Sequence, residues 1–333
     1  MYPSFKVAEL LAFILIEPYI QLTLKKLAML IRQAKIVLTS LGYELDCHSK
    51  AFGSLRDSSD QLFQPDELRL RMQQDGYLYL KNLLNSQEVW QARQELSAWL
   101  AAEGSLKVGS SPLDCIAKPE LRMSFRPDLA LQSPALKKLL YSGRMMEFFE
   151  FFLGGDIQHY DYTWLRAVAP GRGTYPHCDI VYMGRGTDQV YTVWTPLGNI
   201  PWELGGLMIL ENSHRLESIK NSYGRKDVDS YCANRTTAGL YASNQKWWDG
   251  ALSKNPVSLR RKYGGRWLSA EFKAGDVLIF GMFTIHGSLD NHSPSIRLSS
   301  DSRYQLASEP VDERWVGSNP MAHSAASKRG RVC

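Results

Sequence analysis

Residues 275–305, GDVLIFGMFTIHGSLDNHSPSIRLSSDSRYQ, decide the fold class. Val277–Phe280 is a short apolar run that follows a Gly-Asp turn signal, so it reads as a strand. It runs toward His286. Eleven residues beyond that histidine, Arg297 stands inside a second apolar run, SIRLS. Successive strand residues point to opposite faces. Arg297 therefore faces away from Ile296 and Leu298, toward a cavity. A buried arginine needs a partner. Its planar fork suits a carboxylate held by two parallel hydrogen bonds.

Runs of the same texture lie upstream. DIQHYDYTWLRAV (156–168), QVYTVWTPLG (189–198), GGLMILENSH (205–214) and RWLSAEF (266–272) are short, β-rich and separated by turn residues. Before them the pattern is helical. Pro65-Asp66-Glu67 suits a helix start, Asn85 or Ser86 can cap a helix through Leu100, and residues 133–155 form a helical stretch ending at Gly154-Gly155. GYLYLKNLL (76–84) is a strand between them. Helices first and about eight short strands afterwards give an α+β protein whose core is an antiparallel sandwich or jelly roll. Residues 217–265 break the pattern and read as a lid-like insertion carrying Trp247 and Trp248.

The expected division is an N-terminal helical extension and linker over 1–60, a main domain over 61–310 and a C-terminal tail over 311–333. Residues 5–42 show apolar positions at helical spacing with basic residues between them. They suit packing on the body or contact with a membrane surface. The apolar stretch near the start is interrupted by Glu9, Glu17 and Pro18 and is too short to span a membrane. Residues 46–64 are polar and read as linker.

The chain has 333 residues, 22% of them charged, and a net charge of +5, ordinary for a globular protein with a full core. No basic stripe with interleaved aromatics is present, which argues against nucleic acid. Five scattered cysteines, with no CxxC, suggest a reduced, cytoplasmic chain without a disulfide frame or zinc ribbon.

Two His-x-Asp pairs are present, His159-Tyr-Asp161 and His177-Cys-Asp179. In a strand, residues i and i+2 share a face, so either pair can aim an imidazole and a carboxylate at one point. With a distal histidine, such a pair makes the 2-His-1-carboxylate set of non-haem Fe(II) enzymes, which leaves three coordination positions open. A zinc hydrolase or cupin-like isomerase on the same ligands, and a non-catalytic jelly-roll binding module, are the competing readings.

HCD at 177–179, VWTPLGNIPWELGGLMILENSHR at 193–215 and residues 275–305 resemble the phytanoyl-CoA dioxygenase family of Fe(II)/2-oxoglutarate oxygenases. The resemblance spans residues 62–308. It implies a double-stranded β-helix core, cupin-like and flanked by helices. It implies His177, Asp179 and His286 as iron ligands and Arg297 as the partner of the far carboxylate of 2-oxoglutarate. Ser288, Trp194 and Arg122 become further cosubstrate contacts. It also implies dioxygen as oxidant, ascorbate as reductant, and hydroxylation of a small-molecule or lipid-like substrate with release of succinate and CO2. Glu-Asn replaces the glycine that the family usually has before Ser-His, which bears on a turn. Among the nearby aromatics, Tyr162, Trp164 and Tyr182 are the expected substrate contacts. His214 is expected to hold a loop, and His48, His292 and His323 to do no chemistry. A monomer or a homodimer fits equally.

Overall fold

The computed structural model describes residues 37–333. Fourteen strands and nine α-helices follow in chain order among them. The first are β1 (Thr39–Ser40), β2 (Tyr43–Glu44), β3 (Phe52–Ser54), α1 (Pro65–Asp75), β4 (Tyr77–Leu80) and α2 (Ser86–Ala102). Next come α3 (Pro127–Gln132), α4 (Pro134–Tyr141), α5 (Arg144–Leu153), β5 (Ile157–His159), β6 (Trp164–Val168), α6 (Ile180–Met183), β7 (Tyr191–Pro196) and β8 (Leu207–Leu210). The insertion holds α7 (Glu217–Lys220), β9 (Ser230–Cys232), α8 (Ala238–Ala242) and α9 (Pro256–Tyr263). The chain ends with β10 (Trp267–Ser269), β11 (Val277–Gly281), β12 (His286–Ser288), β13 (Arg297–Leu306) and β14 (Arg329–Arg331).

The expected α+β organisation is present. One sheet has the order β4-β11-β7-β13-β5, with β6 also on β13; the other has the order β12-β8-β10-β3. Strand alternation explains how they stack. Leu78, Leu80, Val193, Val277, Ile279 and Leu298 face one way and join the buried side chains of α1, α2, α4 and α5. Their neighbours Tyr77, Tyr79, Trp194, Leu278 and Phe280 face the other way and pack on Leu207, Ile209 and Leu268 of the second sheet. The result is three layers: helices, large sheet, small sheet. Burying both faces of the large sheet is what fixes its register, since a one-residue slip would exchange them.

The signals at Pro65 and Asn85 act as read. Pro65 opens α1, and Gly76 closes it in the left-handed region at φ 76°. A side chain at Gly76 would meet the His214 ring at 2.3 Å, so His214 fills the space that glycine leaves. The Asn85 side chain accepts from the Gln87 N–H and caps α2. Gly143 divides the helical stretch 133–155 into α4 and α5.

Four expectations change. The expected helices over 5–42 lie outside the described residues up to 36, and Thr39–Ser40 and Tyr43–Glu44 form a small hairpin. The presumed linker contains β3, which pairs in parallel with β10 at the edge of the small sheet. Residues 311–333 do not form a loose tail: Arg314 and Trp315 are fully buried, and β14 pairs with β9 of the insertion. Cys232 and Cys333 form a disulfide across a separation of 101 residues, against the expectation of a chain without one. The tail reverses those readings because its polar residues pair internally: Arg314 binds Asp229 and Asp312, and Lys328 binds Asp229. No helix among the described residues is long and apolar enough to cross a membrane.

Candidate metal centre

The structure brings His177, Asp179 and His286 together, all three buried, with one ligand-type atom of each within 4.8 Å of the others. Asp179 Oδ1 stands 3.6 Å from Nε2 of His177 and 3.6 Å from Nε2 of His286. His286 begins β12, and a backbone bridge joins His177 to His286. The HCD segment is not the regular strand its spacing suggests. Asp179 has helical dihedrals and stands at the N-terminal end of α6, where its side chain makes no capping hydrogen bond.

Each ligand atom is set by a second contact. Nδ1 of His177 lies 2.8 Å from the Tyr175 carbonyl, and Nδ1 of His286 lies 3.0 Å from the Thr284 carbonyl. A carbonyl only accepts, so Nδ1 carries the proton in both rings and each Nε2 presents a lone pair inward. Asp179 Oδ2 accepts from the Thr192 hydroxyl at 2.5 Å and from Arg303 at 3.1 Å. Those contacts leave Oδ1 facing the two Nε2 atoms.

Protonation states favour the same use. Burial pushes the His177 pKa down to about 3, helped by His286, and burial also lowers that of His286. Burial alone would raise the Asp179 pKa, but Arg303, the two histidines and Thr192 hold it well below the ordinary carboxylate range. Two neutral imidazoles and one carboxylate at neutral pH form the donor set for a divalent first-row metal. The residues fit Fe(II).

A cavity of about 470 Å³ opens beside His177 and Asp179. Tyr162, Trp164 and Tyr182, the expected substrate contacts, are among its walls. Arg297 is 1% exposed and lies between the sheets, not on that wall. It donates to the Gly205 carbonyl, its Nε has no partner, and burial pushes its pKa down to about 10. Trp194 Nε1 and Ser299 Oγ are likewise buried without partners. Arg297 and Trp194 thus keep buried N–H donors that no group of the protein answers. Ser288 is buried, and its Oγ accepts from the Thr174 N–H at 2.8 Å. Arg122 is not brought to the site. Its segment forms no regular strand, and it is exposed in a separate groove with Arg126 and Arg172.

The competing pair stays outside the cluster. His159 stacks on Tyr141 at 4.4 Å, and Asp161 accepts from the Gly317 N–H. Cys178 points away from the ligands, with its Sγ 3.4 Å from the Phe283 carbonyl.

Four residues with evident work were missed: Arg166, Thr192, Asp301 and Arg303. Arg166 lines the cavity and donates to Asp301 at 2.7 Å. Arg303 lies 3.8 Å from the Trp164 ring centre while it binds Asp179. The signal was strand parity. Arg303 and Asp301 share a face of β13 with Arg297, Thr192 shares one of β7 with Trp194, and Arg166 shares one of β6 with Trp164. Thr192 is also the direct cross-strand partner of Arg303. His323, expected to do no chemistry, lines the cavity mouth. No local signal marks it, because the tail's fold places it there.

Residues 72–299 match the family model described as Phytanoyl-CoA dioxygenase. No curated protein gives a significant match. Among solved structures, the chain is similar to the non-heme alpha ketoglutarate dependent epimerase SnoN from nogalamycin biosynthesis. The TM-score is 0.52 at 18% identity over 77% of this chain and 92% of that one. It is similar to the carbocyclase SnoK from the same biosynthesis, with TM-score 0.51 at 16% identity over 77% and 89%. It is also similar to EctD from S. alaskensis, with TM-score 0.51 at 17% identity over 89% and 99%. At such identities the likeness concerns the fold alone.

Proposed function

The chain belongs to the phytanoyl-CoA dioxygenase family, and on that premise we propose that it is an Fe(II)- and 2-oxoglutarate-dependent oxygenase. The observation that carries the proposal is the inward set of Nε2, Nε2 and Oδ1, each fixed by a hydrogen bond on its far side. His177, Asp179 and His286 would hold the metal. Arg297 would bind the far carboxylate of 2-oxoglutarate, with Trp194 and Ser288 as further contacts. SnoN has been solved in complex with Fe3+ and alpha ketoglutarate, and EctD with 2-oxoglutarate and 5-hydroxyectoine.

Loaded with iron, 2-oxoglutarate and dioxygen, such a site oxidises an unactivated C–H bond and releases succinate and CO2, with hydroxylation as the expected outcome. The chain's own part is placement. Thr192 and Arg303 hold Asp179 in one orientation. The aromatic walls exclude water, which limits side reactions. Tyr162, Trp164 and Tyr182 would contact a small-molecule or lipid-like substrate, and ascorbate would restore Fe(II).

The test is succinate formation from 2-oxoglutarate on adding Fe(II) and ascorbate in air. Arg297→Ala should weaken 2-oxoglutarate binding by roughly a hundredfold or more, the scale for losing one partner of a buried charge pair, and leave iron binding within a few fold. Iron-independent turnover, or an Arg297→Ala protein that binds 2-oxoglutarate normally, would overturn the assignment.

A further inference from the structure

The wall of the metal cavity carries two guanidinium groups that the protein answers only in part. Arg166 stands on β6, directly across from Ser299 of β13. Its Nε donates to Asp301 at 2.7 Å, while its two Nη groups have no hydrogen-bond partner among the described residues. Its side chain is 23% exposed and lines the cavity. Arg303 lies deeper, at 2% exposed. One of its Nη groups binds Asp179 at 3.1 Å; its Nε and its other Nη are buried without partners. Its guanidinium carbon lies 3.8 Å from the centre of the Trp164 ring.

Among the described residues that line the cavity, Asp179 is the one carboxylate. Thr192 and Arg303 hold one of its oxygens, and the other faces the two imidazoles. The donors of Arg166 therefore meet no free anionic acceptor on the wall. An arginine that gives Nε to one carboxylate keeps two parallel N–H bonds on its far edge, the spacing at which a second carboxylate accepts with both oxygens. Because Asp301 already offsets part of the Arg166 charge, a singly charged group balances the fork better than a doubly charged one. The rest of the wall suits an apolar body, with Phe125, Tyr162, Trp164, Tyr182, Met183 and Met321. The Phe125 ring lies 6.0 Å from the Arg166 guanidinium carbon, so that apolar lining begins beside the fork. Arg297, buried between the sheets and absent from this wall, addresses a different group.

We propose that the substrate is a carboxylic acid with an apolar body. Its carboxylate is held by the two Nη groups of Arg166, and its body lies against Trp164 and Tyr182. That the bound acid is a substrate rests on the oxygenase reading; the carboxylate site itself does not. Arg303 supports the site from behind Trp164, by its charge and by holding that ring.

The test is isothermal titration at neutral pH with three matched probes: naphthalene-2-acetate, naphthalene-2-acetamide and naphthalen-2-ylmethylphosphonate. Metal-free protein and protein loaded with Fe(II) and 2-oxoglutarate under argon are both titrated. In both forms the acetate should bind about tenfold or more tightly than the amide, the scale of hydrogen bonds to a charged group, and more tightly than the phosphonate. Arg166→Gln combined with Asp301→Asn removes the fork without stranding a buried carboxylate and should weaken the acetate by about tenfold or more. Arg166→Lys keeps a cation for Asp301 but loses the fork, and should weaken the acetate by about threefold or more. Both should hold 2-oxoglutarate within about threefold of the wild type. Arg172→Gln, which removes an exposed cation outside this cavity, should change neither ligand. Equal or tighter binding of the amide or the phosphonate overturns the proposal. So does an acetate preference confined to the iron-loaded protein, an Arg166→Lys protein with wild-type acetate affinity, or an equal loss of 2-oxoglutarate affinity in the variants. Absence of succinate formation from 2-oxoglutarate with Fe(II) in air, with the probe order intact, would sink the oxygenase reading and leave the carboxylate site standing.

Discussion

Asp179 shows what separates a working His-x-Asp from a chance one. One carboxylate oxygen is held by Thr192 and Arg303, and the other faces two imidazole nitrogens. Asp161, in the competing pair, spends an oxygen on a backbone amide in the tail. Removing a ligand should cost more than removing a support. His177→Ala should lower iron affinity by more than the roughly 10–100-fold that a lost second contact costs at metal sites, whereas His159→Ala should leave it unchanged. Anaerobic iron titration of the two variants decides, and the reverse order would move the centre to β5.

The tail and the insertion are joined through β9 and β14, by the Cys232–Cys333 bond and around buried Asp229. Closing so long a loop restricts the unfolded chain, so Cys333→Ser should cost about 2–4 kcal/mol in urea unfolding. Wild-type and variant proteins of equal stability under non-reducing conditions would show that the bond contributes nothing. Asp229 adds a pH dependence. Burial alone would raise its pKa, but His323, Lys328 and Arg314 hold it well below the usual range. A carboxylate with a depressed folded-state pKa contributes stability that is complete above its unfolded value, about 3.9, and is lost as pH falls through the folded value. Asp229→Asn should therefore flatten the acid limb of stability and cost about 3 kcal/mol at neutral pH, since it leaves the buried Lys328 ammonium without a carboxylate while Arg314 keeps Asp227 and Asp312. Urea midpoints measured from pH 7 to pH 3 test both parts. A variant that keeps the wild-type acid slope refutes the role given to Asp229.

Across the whole molecule, the helical layer supports the site without touching it. Phe149 of α5 is fully buried and stacks on Tyr304 of β13 at 4.2 Å. The opposite face of β13 carries Arg297, Asp301 and Arg303. Phe149→Ala should cost about 3–5 kcal/mol, the usual range for a large core truncation, seen as a lower denaturation midpoint. A loss below 1 kcal/mol would mean that the layer repacks freely.

The resemblance to the family, and not local chemistry, singles out His177, Asp179, His286 and Arg297. The chain by itself determined the α+β class, the helix starts at Pro65 and Asn85, and the two His-x-Asp pairs. Those are local properties: periodicity, caps and residue chemistry at fixed spacing survive in a linear string. Only the tertiary structure decided that Thr192 and Arg303 share one carboxylate oxygen, that Asp179 stands at the start of a short helix, and that His323 lines the cavity. It also turned a presumed linker into β3 and a presumed tail into packed structure. In those segments residues find partners more than eighty positions away, as Arg314 does in Asp229 and Phe52 in Trp267. A burial that depends on so distant a partner leaves no local period to read.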